Sequence, residues 1–252
     1  MRLLAPTLRK ISAERIQVEL VKTLTSSRPD LLREAWKLGI TKEFLPEFDL
    51  AMETTQETVH HMYTVGEHIL HTLLEVRPDR ILRLTMLLHD IGKPYMKTMD
   101  ADGVAHFKGH PEKSSELANE ILHRLKFDND TIRKVTKLVR YHDHRMPVTP
   151  AHVRRAVHEI GEDLFPLYLE VRRADVAAQS MYQHKEKVDD IDGVEKLYHE
   201  IMERKECVSL KMLAVTGKDL IAAGMKPGKE IGQMLEHPEL NQKEELLKRI
   251  EL

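Results

Sequence analysis

A chain of 252 residues is long enough to bury a sizeable core, and its 39 lysines and arginines nearly cancel 41 aspartates and glutamates, so no global field argues for indiscriminate nucleic-acid binding. A single cysteine, Cys207, excludes an internal disulfide and any cysteine-rich zinc module. No apolar run approaches a membrane span or a signal-peptide core, so the chain reads as soluble and cytoplasmic, with no membrane partner.

Apolar residues recur at intervals of three and four, which predicts an all-α protein. Ser12 is the expected N-cap of a helix with Ile16, Leu20, Val21 and Leu24 on one face. Pro29 opens a second, carrying Leu31, Leu32, Ala35 and Trp36, which Gly39 closes. Thr64 with Glu67 three residues on spells a capping box, and the inner stripe that follows is Val65, His68, Ile69, Thr72, Leu73 and Val76. From Asp79 to Asp90 the sequence is apolar on nearly all sides, as a central core helix would be, and "IGKP" stops it with His89 and Asp90 at the buried end. Leu117, Ala118, Ile121, Leu122 and Leu125 define the next helix. Asn129 is the expected cap of another, whose stripe runs Ile132, Val135, Leu138, Val139 and His142. Thr149 and Pro150 begin a helix through Val153, Val157 and Ile160, and the one after it carries Leu164, Leu167, Val171, Ala174, Asp175 and Ala178 on one face. Glycines at 217, 224, 228 and 232 mark residues 206–252 as a separate tail of short helices.

His68, the pair His89 and Asp90, His142 and Asp175 thus fall on inward faces of different helices. A lone histidine in an apolar stripe is usually a core residue bonded to backbone, but the conjunction points to a divalent metal: imidazoles and carboxylates are the ligands such ions favour, and both are costly to bury alone. His110, just ahead of the Leu117 helix, would complete a second position with His142. Asp175 has Arg172 and Arg173 flanking its stripe, so ligation outranks a salt bridge there.

These residues carry a resemblance. His68, His89-Asp90 and Asp175 resemble the H…HD…D signature of the HD-domain metal-dependent phosphohydrolases. "ISAERIQVEL", "HHMYTVGEHIL", "LLHDIGKP", "HFKGHPEKS", "LVRYHD", "RRADVAAQ" and "LAVTGKDLIAAGMKPGKEIG" together resemble the C-terminal portion of bacterial CCA-adding enzymes, the tRNA nucleotidyltransferases of the HD-containing type. The nucleotidyltransferase head of that family is expected to be absent: the chain has no Gly-Ser, and its Asp128-x-Asp130 lies at a helix start. The resemblance implies an HD-domain helical core over residues 51–205, a small N-terminal helical section over 1–50 and a short helical tail over 206–252 that resembles the family's tRNA-binding tail.

It also implies one or two divalent ions, drawn from Fe, Mn, Ni, Co, Zn or Mg, with Asp90 shared between His68, His89 and Asp175 on one side and His110 and His142 on the other. The implied reaction is metal-assisted hydrolysis of a nucleotide, a 2′,3′-cyclic phosphate or an RNA-end phosphate, with Asp90 and Lys93 catalytic, and Lys93, Arg140 and Arg172 contacting substrate. The competing expectation is an RNA-binding body for tRNA, whose HD site is mainly structural.

Overall fold

The computed structural model describes residues 2–204, 217–222 and 226–230. It is an all-α fold, as the periodicity predicts, with helices α1 (Ala13–Thr25), α2 (Leu32–Lys37), α3 (Pro46–Glu53), α4 (Val65–Glu75), α5 (Arg80–Leu88) and α6 (Lys93–Met96). After strands β1 (Thr98–Met99) and β2 (Ala105–His106) come α7 (His110–Arg124), α8 (Asn129–Tyr141), α9 (Pro150–Ile160), α10 (Phe165–Ala177), α11 (His184–Glu203) and α12 (Gly217–Ala222). The described residues fall into two compact units, one of 1–144 with 163–191 and one of 145–162 with the residues from 192 onward. The first holds every candidate ligand.

In that unit α5 is the central element, buried from Leu82 to Leu88 and packed against α1, α4, α7, α8 and α10. The N-terminal section shares this core through Leu20, Leu24, Leu32, Leu45 and Phe48. Asp79 caps α5 by accepting from the amides of Ile81 and Leu82, and Thr64 caps α4 by accepting from Glu67. Glu67 does not return the bond of a full capping box; its carboxylate is taken by Arg33, 2.6 Å away. Asp128, not Asn129, caps α8 through the Thr131 amide. Two glycines permit close approach of the layers that carry ligands. A Cβ on Gly66 would lie 2.6 Å from Met52 Cα in α3, and one on Gly92 would lie 2.5 Å from the Ser114 nitrogen in α7.

One element escapes the helical periodicity: β1 and β2 pair antiparallel, Thr98 with His106 and Met99 with Ala105. The turn between them is built by Asp100, whose Oδ1 accepts from the amides of Asp102 and Val104, and by Gly103 at φ +77°. In the second unit α9 buries Val153, Ala156, Val157 and Ile160, the stripe expected for it. Most of 206–252 lies outside the described residues; α12 is the helix described there.

Candidate metal centre

Helix ends place the ligands. His89 and His142 are the C-cap residues of α5 and α8, and each turns its Nδ1 back to a carbonyl in the last turn of its own helix, Met86 O at 2.8 Å and Val139 O at 2.6 Å. His110 opens α7 with Nδ1 2.9 Å from Phe107 O, and His68, inside α4, reaches Ala178 O at 3.3 Å. A carbonyl can only accept, so each Nδ1 carries a proton and each ring turns its Nε2 toward the others. Backbone bonds of this kind fix both tautomer and orientation in metal-ligating histidines.

The inward atoms form two groups. His68 Nε2 lies 2.9 Å from Asp175 Oδ1 and 3.4 Å from His89 Nε2, while His89 Nε2 lies 3.7 Å from the same Asp175 oxygen. His110 Nε2 lies 3.2 Å from His142 Nε2, with Asp90 Oδ1 at 3.3 and 3.4 Å from the two. Asp90 stands between the groups: its Oδ2 is 3.4 Å from His89 Nε2 and 3.6 Å from His68 Nε2. All six residues are buried. An ion between the His110 and His142 Nε2 atoms, 3.2 Å apart, would be met by both rings and by Asp90 Oδ1. Ligands about 2.1 Å from one ion at tetrahedral to octahedral angles stand roughly 3.0 to 3.4 Å apart; the second group's 3.2 to 3.4 Å fall in that range and the first group's 2.9 to 3.7 Å straddle it. The donor set therefore fits a divalent metal in each group.

Around the donors the charges are arranged to keep both carboxylates ionised. Burial pushes Asp90 up, but the Lys93 ammonium and the surrounding imidazoles hold it well below the usual carboxylate range. Burial likewise raises Asp175 and the bonds from His68 and His89 outweigh it, so that it too lies well below its ordinary value. Lys93, only 5% exposed, places Nζ 2.6 Å from Asp90 Oδ2, 3.0 Å from Gln56 Oε1 and 3.5 Å from His61 Nε2. Burial first, and the Lys93 charge next, push the His61 imidazole down to about 2, which leaves it neutral.

Of the residues read from sequence as site members, His68, His89, Asp90, His110, His142, Asp175 and Lys93 converge. Arg172 is buried and donates to His142 O at 3.3 Å, so its place is behind a ligand; Arg140 is exposed. Sequence reasoning missed Gln56, His61, Gln179 and Ser114. Gln179 Nε2 donates to Asp175 Oδ2 at 2.9 Å while its Oε1 accepts from Lys187, and Ser114 Oγ accepts from the Gly92 amide, tying the Asp90 turn to α7. Asp128-x-Asp130 is also not the chain's one pair of that kind, since Asp100-x-Asp102 and Asp190-x-Asp192 share the spacing. Asp100 is committed to its turn and to His106, 2.8 Å away.

A family model described as tRNA nucleotidyltransferase domain 2 matches residues 108–247. The chain belongs to that family. A second model, "Probable RNA and SrmB- binding site of polymerase A", matches residues 1–52. Over 234 residues the chain is 32% identical to the A-adding tRNA nucleotidyltransferase of Deinococcus radiodurans, an alignment covering 88% of this chain and 52% of that protein. It is 32% identical over 234 residues to the CC-adding tRNA nucleotidyltransferase of Thermus thermophilus, covering 88% and 51%. A bifunctional uridylyltransferase/uridylyl-removing enzyme of Ruegeria pomeroyi is 29% identical over 157 residues, 52% of this chain and 15% of that protein. The chain spans about half the length of the tRNA nucleotidyltransferases it matches, and is related to them. Among the described residues no helix is long and apolar enough to cross a membrane.

Proposed function

We propose that this tRNA nucleotidyltransferase relative is a metal-dependent phosphohydrolase of the HD type, acting on nucleotides, 2′,3′-cyclic phosphates or RNA ends. The observation that supports it most is the set of four inward Nε2 atoms, each with its Nδ1 committed to a carbonyl, gathered with Asp175 around the buried Asp90 carboxylate. Four imidazoles and two carboxylates converging on one buried spot, with Lys93 and Gln179 at its edge, form a donor set of the kind that divalent ions favour. A divalent ion bound there supplies Lewis acidity and neutralises charge in phosphate ester hydrolysis. His68, His89 and Asp175 would hold one ion, His110 and His142 a second, and Asp90 would face both. Lys93 keeps Asp90 ionised and brings a fixed positive charge to the site, and Gln179 fixes the Asp175 carboxylate against rotation. On this reading residues 51–205 are the HD domain, with 1–50 and 206–252 as flanking RNA-contacting sections in a cytoplasmic protein. The uridylyl-removing relative points the same way, since its name describes removal of a nucleotidyl group.

The second reading, an RNA-binding body for tRNA with a structural metal site, is favoured by the RNA-binding family model over residues 1–52. Both are tested by purifying the chain without chelator, measuring Fe, Mn, Ni, Co, Zn and Mg content, and assaying 2′,3′-cyclic and linear nucleotide phosphates alongside tRNA binding. Hydrolysis that Asp90→Asn abolishes supports the first reading. Bound metal and tRNA binding without hydrolysis of any phosphate ester in any of these metals would overturn it in favour of the second.

A further inference from the structure

Beside the donor cluster lies a feature that ligand positioning does not require. Two loops border the cluster, one preceding α4 and one following α10, and they leave four large apolar side chains in solvent: Val59 is 65% exposed, Met62 66%, Met181 78% and Tyr182 48%. Exposed apolar surface gathered in one place marks a binding site more often than chance does. The loops are tied to each other, for Ser180 Oγ donates to Val59 O at 2.6 Å and the Ser180 amide to His60 O at 2.9 Å. His60 meets the Tyr182 ring edge to face at 5.0 Å, and Gln183 holds a left-handed φ of +51° immediately after it.

The same loops hold the donors. Ala178 O accepts from His68 Nδ1, Gln179 donates to Asp175, and the His61 ring lies 5.0 Å from the His68 ring. Met181 and Tyr182 are thus two and three residues from Gln179, and Val59 and Met62 one or two from His61. Two to three residues of chain span at most about 7 to 11 Å, an upper bound within which a nucleotide's base and its phosphate can both lie. An apolar and aromatic surface at that distance suits a group with a flat π face joined to a phosphate. Lys187 Nζ lies 3.5 Å from His60 Nδ1 at the edge of this surface, while the four exposed side chains themselves are uncharged.

We infer that Val59, His60, Met62, Met181 and Tyr182 form a nucleobase platform, on which the base of a nucleotide or RNA end stacks while its phosphate reaches the donor cluster. This rests on the phosphohydrolase reading for the fate of the phosphate, but base binding is measurable without turnover. Stacking on an apolar and aromatic face works through the π face that every base has, so the platform predicts tolerance among bases.

The test uses the chain as purified, adenosine 5′-monophosphate and ribose 5-phosphate as probes, and saturation-transfer NMR with a titration for Kd. Wild type should transfer saturation more strongly to adenine H2 and H8 than to ribose protons, and should bind the nucleotide more tightly than ribose 5-phosphate. Tyr182→Ala should weaken nucleotide binding about tenfold, with a smaller loss in Met181→Ser, whose exposed side chain has no part in folding. Equal Kd for the nucleotide in all three proteins would overturn the inference, as would a concentration-dependent dimer in wild type that Met181→Ser dissolves, since a second copy would then cover the surface. Base binding in a protein that hydrolyses no phosphate ester would refute the phosphohydrolase reading and keep the platform. Hydrolysis with unchanged nucleotide Kd in the variants would do the reverse.

Discussion

Replacing Asp90 with asparagine keeps the shape of the side chain and removes the charge on which both ligand groups and Lys93 converge. In chelated protein the main consequence falls on Lys93, whose ammonium is left buried without the carboxylate 2.6 Å away. Breaking a buried pair from one side costs about 3 to 5 kcal/mol. Gln56 Oε1 at 3.0 Å and His61 remain as neutral partners, which places the cost at the low end, about 3 kcal/mol. For a chain of this size about 2 to 4 °C accompanies each kcal/mol, so the chelated variant should melt roughly 6 to 12 °C below wild type. Adding metal should widen the gap. An ion at a hundred times its Kd stabilises wild type by about 2.7 kcal/mol, roughly 5 to 11 °C, and the variant, lacking the carboxylate that faces both groups, should gain little of it. Differential scanning calorimetry with and without Mn, Fe, Ni, Co, Zn or Mg, together with metal content after desalting, measures both effects. A wild-type melting temperature that none of these ions raises, or equal metal content in the two proteins, would refute the reasoning. Partial rescue of the chelated variant by Lys93→Met would confirm that the buried cation is the source of the apo penalty.

Other changes separate the parts of the site. The double variant His110→Ala/His142→Ala should halve the metal content per chain while leaving the group at His68, His89 and Asp175 loaded, at a stability cost of about 1 to 3 kcal/mol, read from elemental analysis and urea melts. Gln179→Ala removes the bond that fixes Asp175 Oδ2 and should weaken metal affinity about tenfold in a chelator competition with the fold intact. Gly92→Ala should destabilise by about 2 kcal/mol or more in urea, because its Cβ would meet the Ser114 nitrogen, a backbone atom that cannot swing aside.

The convergence of His68, His89, Asp90, His142 and Asp175 was legible because helical spacing points each of them inward: His68 in the α4 stripe, His89 and Asp90 after the largely apolar α5, His142 at the end of the α8 stripe, Asp175 within that of α10. The residues that support them were not. Gln56 meets Lys93 across 37 positions, and the carbonyl that fixes the His68 tautomer lies 110 positions away at Ala178. A glutamine in a loop carries no periodic signal, so only the tertiary fold assigns it a partner. The β1–β2 hairpin went unread for a different reason, being two residues long on each side, too short for alternation to register. Its turn signal, Asp-Ala-Asp-Gly at residues 100–103, was present.

Arg172 gives the most instructive case, because two sequence signals conflicted over it. Its charge favours solvent, but it lies three residues before Asp175, a spacing that puts both on one face of α10. The face prevails: Arg172 is buried, its guanidinium donates to His142 O at 3.3 Å and lies 3.7 Å from Asp143 Oδ1. Burying that charge is tolerable because a carbonyl and a half-exposed carboxylate receive it. The carbonyl belongs to a candidate ligand whose own Nδ1 is bound to Val139 O, so His142 is held at both its backbone and its ring. A charged residue at helical spacing from a ligand is therefore better read as a brace for the neighbouring ligand than as a contact for incoming phosphate, and α10 supplies both the donor carboxylate and the support for a ligand on α8.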